Sequence, residues 1–176
     1  MIILESERLL FRPHEPADLD SFCAMEMDPE VRRYVGGYPR SREDAERRFR
    51  QGPLEPTPDR LGVWATIQKS NGRYVGRCGL YPHMNSSGEK VAGEAVLSFY
   101  LARAHWGQGL ASEAAAAFVE FGWRHLQLLR IVATVQVGNA ASVRILEKLR
   151  FELLATDVGQ RSFFKFALPS PEQRNG

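Results

Sequence analysis

Cysteine and long apolar runs are both scarce in this chain of 176 residues. Its only cysteines, Cys23 and Cys78, supply neither a disulfide framework nor the ligand set of a zinc site. No apolar run approaches the roughly 20 residues that a membrane-spanning helix needs. Charged residues interrupt the first twelve positions, unlike a secretory signal. We therefore expect a cytoplasmic protein that binds no metal and does not enter a membrane.

An excess of one charge is also absent, because 23 basic residues face 21 acidic ones and the net charge is +2. That balance does not indicate nucleic-acid binding. The one dense basic stretch lies at residues 40–50, where acidic residues interrupt the arginines. This pattern favours a solvated helix face over a phosphate-binding patch. We expect no direct nucleic-acid partner, although an RNA-associated protein that uses these arginines stays an open alternative.

The chain has the length of one domain with a single core. Hydrophobic spacing and turn residues predict the following elements in chain order. They are a strand at 9–12, a helical stretch at 16–50, a loop at 51–60, strands at 61–68 and 73–81, a polar loop at 82–90, a strand at 94–101, a helix at 111–126, a strand at 130–137, a helix at 140–149, and a strand pair at 151–157 and 162–168. This order predicts a mixed α/β fold in one domain, residues 1–168, with a frayed tail at 169–176.

A glycine-rich turn follows the strand at 94–101, where Trp106-Gly107-Gln108-Gly109-Leu110-Ala111 leads into the predicted helix. Glycines allow successive backbone N–H groups to converge, and a helix N-terminus adds unpaired N–H groups and a positive dipole end. Such a turn can hold a phosphate group. A tight turn without any ligand is the alternative that a bare Gly-x-Gly leaves open.

Two common nucleotide-binding patterns are missing from the chain. It contains no G-x-x-x-x-G-K-[ST] string, which excludes a P-loop. Ser112 stands where the dinucleotide-binding pattern G-x-G-x-x-G needs its third glycine, and the strand after the helix ends without an acidic residue. A nicotinamide cofactor is therefore poorly supported.

Three segments resemble the GNAT superfamily of acetyl-CoA-dependent N-acetyltransferases. The turn at 106–111 is similar to the family's pyrophosphate pattern [QR]-x-x-G-x-[GA], with Trp106 at the Gln or Arg position. Residues 139–151 resemble N-x-x-[AS]-x-x-x-[YL]-E-K-x-G-F, with Arg150 replacing the glycine. The opening residues 4–13 and the Trp106 variant resemble the subgroup that acetylates N-termini of ribosomal proteins. The similarity covers roughly residues 4–168.

The resemblance implies a twisted, mostly antiparallel mixed sheet flanked by helices, in which a splayed strand pair holds acetyl-CoA. Backbone N–H groups of the glycine-rich turn would bind the pyrophosphate. The end of the preceding strand would pair with the pantetheine arm and polarise the thioester, and Asn139 would cap its helix and bond the same arm. The residues implied in cofactor binding are Phe99, Tyr100, Leu101, Trp106, Gly107, Gln108, Gly109, Leu110, Ala111, Ser112 and Asn139.

Two residues are candidates for proton transfer. Relatives use a glutamate on the strand before the turn as a base through water, which makes Glu94 a candidate, although a surface carboxylate explains it equally well. Leu146 stands where the family often has a tyrosine acid, so that role is vacant. In the ribosomal-protein subgroup the proposed acid is a serine at the position of Ser142. A solvent-exposed helix serine is the alternative interpretation.

The resemblance predicts transfer of an acetyl group to a primary amine by direct attack in a ternary complex. The acceptor would be a protein N-terminus or a small-molecule amine, held by residues 14–60 and 82–92, and the protein would be a monomer or homodimer. Five acidic residues of the chain are candidates for attracting a cationic amine, namely Glu26, Asp28, Glu30, Glu89 and Glu94. A non-catalytic acyl-CoA-binding or sensor module is the alternative function.

Overall fold

The structure is a computed structural model that describes residues 1–52, 60–156 and 163–174. Its strands are β1 (Leu4–Glu5), β2 (Leu9–Arg12), β3 (Gly62–Gln68), β4 (Arg73–Met84), β5 (Lys90–Leu101), β6 (Arg130–Gln136), β7 (Glu152–Ala155) and β8 (Phe163–Pro169). Its helices are α1 (Leu19–Met27), α2 (Pro29–Arg32), α3 (Arg42–Gln51), α4 (Leu110–Arg124), α5 (Ala140–Lys148) and α6 (Pro171–Arg174). The predicted loop at 51–60 falls largely outside the described residues.

All eight strands form one sheet in the order β1-β2-β3-β4-β5-β6-β8-β7. Every neighbouring pair is antiparallel except β5 and β6, which run parallel because α4 connects them. The predicted mixed fold in a single domain is therefore confirmed. No helix in the described part of the chain combines the length and apolar character that crossing a membrane requires.

The sheet separates two hydrophobic cores. Helix α4 packs its apolar face on β4 and β5, and its Phe118 contacts Phe11 of β2 edge to face at 4.8 Å between ring centroids. A smaller core joins α1 and α3, and Tyr74 of β4 packs against it. Tyr74 and Val75 are consecutive in β4 and enter different cores, so the two cores lie on opposite faces of the sheet.

Three sequence predictions differ from the structure. The helical stretch predicted at 16–50 ends at Arg32 and resumes at Arg42, because Gly36 and Gly37 adopt positive φ and turn the chain. The polar loop predicted at 82–90 shrinks to residues 85–89, since β4 and β5 extend into it. Where a frayed tail is predicted from Pro169, β8 runs to that residue and one helical turn, α6, follows.

Two cysteines are buried in the fold, and several ion pairs involve the basic stretch at residues 40–50. Cys23 and Cys78 are free thiols. Ion pairs with Asp20, Asp44 or Glu46 neutralise three arginines of the basic stretch, namely Arg42, Arg47 and Arg50. The pairs support a solvated helix face at α3. Within residues 1–52, 60–156 and 163–174, no group of three His, Cys, Asp or Glu side chains is arranged to hold a metal ion.

His14 should make the stability of this fold depend on pH. It lies buried beside Phe22 and Phe49, and its pKa falls to about 4, first through desolvation and then through the charge of Arg77. The unfolded chain therefore binds an extra proton between pH 6.5 and 4, so stability is complete above pH 6.5 and declines as pH falls. We expect a loss of roughly 2 kcal/mol between pH 7 and pH 5.

Urea unfolding of His14→Gln at the two pH values checks this expectation. The variant should lose that part of the pH dependence, whereas substitution of the exposed His125 by glutamine should retain it. Equal slopes for wild type and His14→Gln would contradict the argument.

Candidate active site

Strands β5 and β6 separate and leave a cavity between them. They pair only where Glu94, Ala95 and Val96 face residues 130–132, so the backbone of residues 97–101 has no partner strand on the β6 side. A cavity of about 860 Å³ fills the opening. Its volume falls within the range of small-molecule sites, and both strands contribute to its walls. The splayed strand pair expected from the sequence is present.

The glycine loop, residues 106–109, closes one end of this cavity. Gly107 and Gly109 adopt φ values of 74° and 76°, and Gly109 is the N-cap of α4 without any side-chain cap. Within the described part of the chain, no acceptor pairs with the backbone N–H groups of residues 107–112. These donors stand at the positive end of the α4 dipole, which makes the loop suited to an anion.

The side chains of Trp106 and Gln108 each donate a hydrogen bond to a backbone carbonyl of the preceding residues. The indole Nε1 of Trp106 donates a hydrogen bond to the Leu101 carbonyl at 2.7 Å, so this side chain ties the loop to the end of β5. Trp106 is half exposed and lines the cavity. Gln108 is absent from the described cavity wall, and its amide instead bonds the Ala104 carbonyl at 3.2 Å.

The cavity fits the group that the sequence resemblance implies, acetyl-CoA. A Cβ added at Gly107 would meet no described atom within 4 Å, so space is open beside the unpaired N–H groups. The unpaired edge of β5 continues the polar surface away from the loop, as an amide-bearing pantetheine arm requires. Of the residues that the resemblance implies in cofactor binding, those lining this part of the wall are Phe99, Tyr100, Leu101, Trp106, Gly107, Gly109, Leu110, Ala111 and Ser112.

Helix α5 forms the wall opposite β5. Asn139 caps it, accepting a hydrogen bond from the Ser142 N–H at 3.2 Å, and both residues line the cavity. The Ser142 hydroxyl has no hydrogen-bond partner among the described residues, which leaves it available to a ligand. Leu146 is fully buried in the core. Arg150 adopts φ 67° after the helix, the left-handed position for which glycine is preferred.

Glu94 lies outside the described wall of the cavity. One carboxylate oxygen accepts from His83 Nδ1 at 2.7 Å and the other contacts Arg130 Nη1 at 3.2 Å. The side chain stands where β5 and β6 are still paired, at the closed end of the opening. The structure therefore does not bring Glu94 and Ser142 together. The contact between His83 and Glu94 could not be predicted from the sequence. The pairing of β4 with β5 is irregular between Pro82 and Met84, so the strand register does not follow a simple pattern there.

A segment that we call the strap, residues 33–40, forms the remaining wall. Tyr34, Val35 and Gly36 line the cavity, and a Cβ on Gly138 would lie 3.6 Å from the Tyr34 ring. The strap therefore reaches the turn before α5. These residues fall within the long helical stretch predicted from the sequence, although the dipeptide Gly36-Gly37 is a signal for a turn.

A buried carboxylate holds the two ends of the strap. Glu26 of α1 is 1% exposed and accepts hydrogen bonds from Arg40 Nε at 2.8 Å and from Arg77, and Arg32 Nη1 lies 3.3 Å away. Arg77 in turn stacks on the rings of Phe22 and Tyr100, with its guanidinium carbon 4.8 and 4.5 Å from the two centroids. Tyr100 lines the cavity, so this network supports both the strap and the cavity floor.

Acidic residues are few around the cavity. Of the five carboxylates that the sequence offered for attracting a cationic amine, only Glu30 belongs to the described wall, and Arg33 pairs with it at 3.6 Å. No residue of 82–92 lines the cavity, whereas the strap, Val63 and Tyr81 do. On the side of the strap, the wall therefore combines valine and tyrosine side chains with a single carboxylate.

Comparisons with known proteins agree with this geometry. Residues 8–152 match the family described as "Acetyltransferase (GNAT) domain". An uncharacterised N-acetyltransferase, p20, of Bacillus licheniformis is 31% identical over 156 residues, which covers 86% of this chain and 83% of that protein. A GNAT-family acetyltransferase structure from Bacillus anthracis superimposes with a TM-score of 0.80 at 21% identity, covering 96% of this chain and 98% of that one.

A third match was solved with bound ligands. Spermidine N-acetyltransferase from Vibrio cholerae, in complex with CoA and spermine, superimposes with a TM-score of 0.74 at 16% identity, covering 92% of this chain and 95% of the other. At these identities the solved structures support the fold, while the family match and the Bacillus licheniformis relative support membership. The chain belongs to the GNAT family of acetyltransferases, enzymes that use acetyl-CoA.

Proposed function

We propose that this enzyme transfers the acetyl group of acetyl-CoA to a primary amine, by direct attack within a ternary complex. The observation that carries the proposal is the continuity of one cavity from the unpaired N–H groups of the glycine loop to the strap. An amine and a bound thioester would share that space. When bound, acetyl-CoA supplies the activated acetyl group, and the residues of the chain bind, orient and enclose it.

The cavity wall favours a neutral amine, the form that acts as the nucleophile. Val31, Val35 and Val63 surround the acceptor side with apolar groups, and burial in such surroundings lowers the pKa of an amine. A dedicated carboxylate base is then unnecessary, which agrees with the position of Glu94 outside the wall. We assign to Glu94 only the role of holding the side chains of His83 and Arg130 in place. Ser142 remains the candidate acid, because its unpartnered hydroxyl faces the same cavity as Asn139.

The acceptor is a protein N-terminus or a small-molecule amine. The single acidic residue in the described wall, Glu30, gives little attraction for a multiply charged polyamine. We therefore do not infer a polyamine acceptor for this chain from its structural similarity to the spermidine enzyme. The alternative function is a non-catalytic acyl-CoA-binding module. It is favoured by the buried Leu146, because this residue leaves α5 without a tyrosine acid.

Thermal unfolding with acetyl-CoA, CoA and NAD, followed by turnover assays, tests the proposal. A ligand at about 100 times its Kd adds roughly 2.7 kcal/mol. For a chain of this size that shifts the Tm by roughly 5–10 °C, and we expect it with both CoA compounds and not with NAD. Thiol release with a panel of peptide N-termini and small amines then separates the enzyme from the binding module.

Ser142→Ala completes this test. Loss of a general acid reduces kcat by roughly a hundredfold or more, while the Tm shift with acetyl-CoA should persist. Binding without turnover on any amine would establish the non-catalytic alternative. Absence of a shift with acetyl-CoA near its highest usable concentration would refute the proposed function altogether.

A further inference from the structure

Arg8, in the turn between β1 and β2, lies behind the glycine loop. Its Nη1 donates a hydrogen bond to the Gln108 carbonyl at 2.9 Å. A Cβ added at Gly109 would lie 3.5 Å from Nη2 of the same guanidinium. Arg8 does not belong to the cavity wall, whereas Gly107 and Gly109 do. The arginine therefore contacts the loop from the side that faces away from the cavity.

Glu113, in the first turn of α4, fixes the Arg8 side chain. Its Oε2 accepts from Arg8 Nε at 2.6 Å, and its Oε1 accepts from the Arg8 backbone N–H and from the Ser6 hydroxyl, both at 2.7 Å. Burial alone would raise the pKa of Glu113, but these hydrogen bonds lower it below its usual value. Donors from the β1–β2 turn thus already fill the hydrogen bonds of the Glu113 carboxylate, although it lies next to an anion site.

The bond to Gln108 determines which way the loop donors point. In a trans peptide the carbonyl and the following N–H point in opposite directions. With the Gln108 carbonyl directed at Arg8, the Gly109 N–H is directed away from Arg8. This peptide plane turns about φ of Gly109, and the glycine leaves that rotation wide freedom, so an external contact is needed to hold one orientation.

We propose that Arg8 is a positioning residue for the cofactor, which orients the Gln108–Gly109 peptide so that its N–H can bind the pyrophosphate. Glu113 and Ser6 hold Arg8 in place, so residues about 105 positions apart in the sequence jointly shape the loop. The inference rests on the proposed function only in requiring that the loop bind the pyrophosphate of CoA. Arg8 acts through the loop and does not contact the acceptor side of the cavity.

Calorimetric titration of CoA into wild type and Arg8→Ala measures the effect directly. We expect the Kd for CoA to rise roughly tenfold, as loss of one oriented bond to a charged group predicts. The kcat/KM for acetyl-CoA should fall similarly. The kcat/KM for acetyl-pantetheine, which has no pyrophosphate, should stay within about twofold, whereas a general structural defect would lower both.

Two further variants sharpen the comparison. Arg124→Ala removes an arginine from the last turn of the same helix, where it is 72% exposed and pairs with Glu120, and should bind CoA as wild type does. Arg8→Lys keeps the charge but cannot reproduce the fork that contacts Glu113 and Gln108 together, so it should also bind CoA more weakly.

The outcomes separate the two levels of the argument. Failure of wild type to bind CoA would overturn the proposed function and this inference with it. Tight CoA binding by wild type and by Arg8→Ala alike would overturn the inference alone, as would equal losses with acetyl-CoA and acetyl-pantetheine. Wild-type affinity in Arg8→Lys would assign the effect to charge and likewise reject the positioning role.

Discussion

Replacing Glu26 with alanine is expected to lower the free energy of unfolding by about 3–5 kcal/mol, because removing one partner of a buried ion pair leaves uncompensated charge. Here a single carboxylate pairs with Arg32, Arg40 and Arg77, and its substitution leaves three guanidiniums in one partly buried cluster without the anion that they share. For a chain of this size the Tm should fall by about 10 °C or more. Thermal and urea unfolding measure both quantities.

Glu46→Ala is the matched control for that experiment. Glu46 also pairs with two arginines, Arg42 at 2.7 Å and Arg50 at 3.0 Å, but on the exposed face of α3. Exposed ion pairs contribute about 0–1 kcal/mol, so the control should lose little stability. Similar losses in the two variants would show that burial of Glu26 does not determine its contribution.

The Glu26 network also links stability to the site. Arg32 directly precedes the strap and Arg40 is its last residue, and the Arg32 carbonyl accepts hydrogen bonds from the Val35 and Gly37 N–H groups. Weakening the network should therefore release Tyr34 from the turn at Gly138. The milder Glu26→Gln, where it still folds, should raise the KM for the amine more than the KM for acetyl-CoA.

Local sequence signals predicted the turn and the helix start that form the proposed cofactor side of the site. Gly107 and Gly109 mark a turn that only positive φ can make, and Asn139 marks a helix start. Both features depend on residues within one turn of the chain, so they can be predicted without knowledge of the tertiary structure.

Contacts between distant segments were not available from the sequence. The hydrogen bonds of Glu113 to Ser6 and Arg8 bridge more than 100 residues, and no local pattern connects these positions. Glu94 was a candidate base because its strand leads to the glycine loop, yet its position at the closed end of the opening depends on where β5 and β6 part. Strand register over such distances follows from packing rather than from any local pattern.

Gly107→Val is expected to raise the Kd for CoA by about a hundredfold or more, since at least two backbone N–H bonds to a charged group would be lost. Gly107 adopts φ 74°, a conformation that a β-branched residue rarely takes, so valine would force the glycine loop into another shape. The strain itself amounts to about 1–3 kcal/mol and should appear as a modest decrease in Tm.

Gly88→Val separates strain from cofactor binding. Gly88 lies in the turn between β4 and β5, adopts φ 78°, and, like Gly107, would place a Cβ within 4 Å of no described atom. The two substitutions therefore impose similar backbone strain in similar free space, and they should lower the Tm by similar amounts. The glycine loop presents unpaired N–H groups to the cavity, whereas the Gly88 N–H already donates to the Asn85 carbonyl and Gly88 is not part of the described wall. We therefore expect Gly107→Val, and not Gly88→Val, to weaken CoA binding. Equal affinities in the two variants would show that the loop geometry does not hold the cofactor.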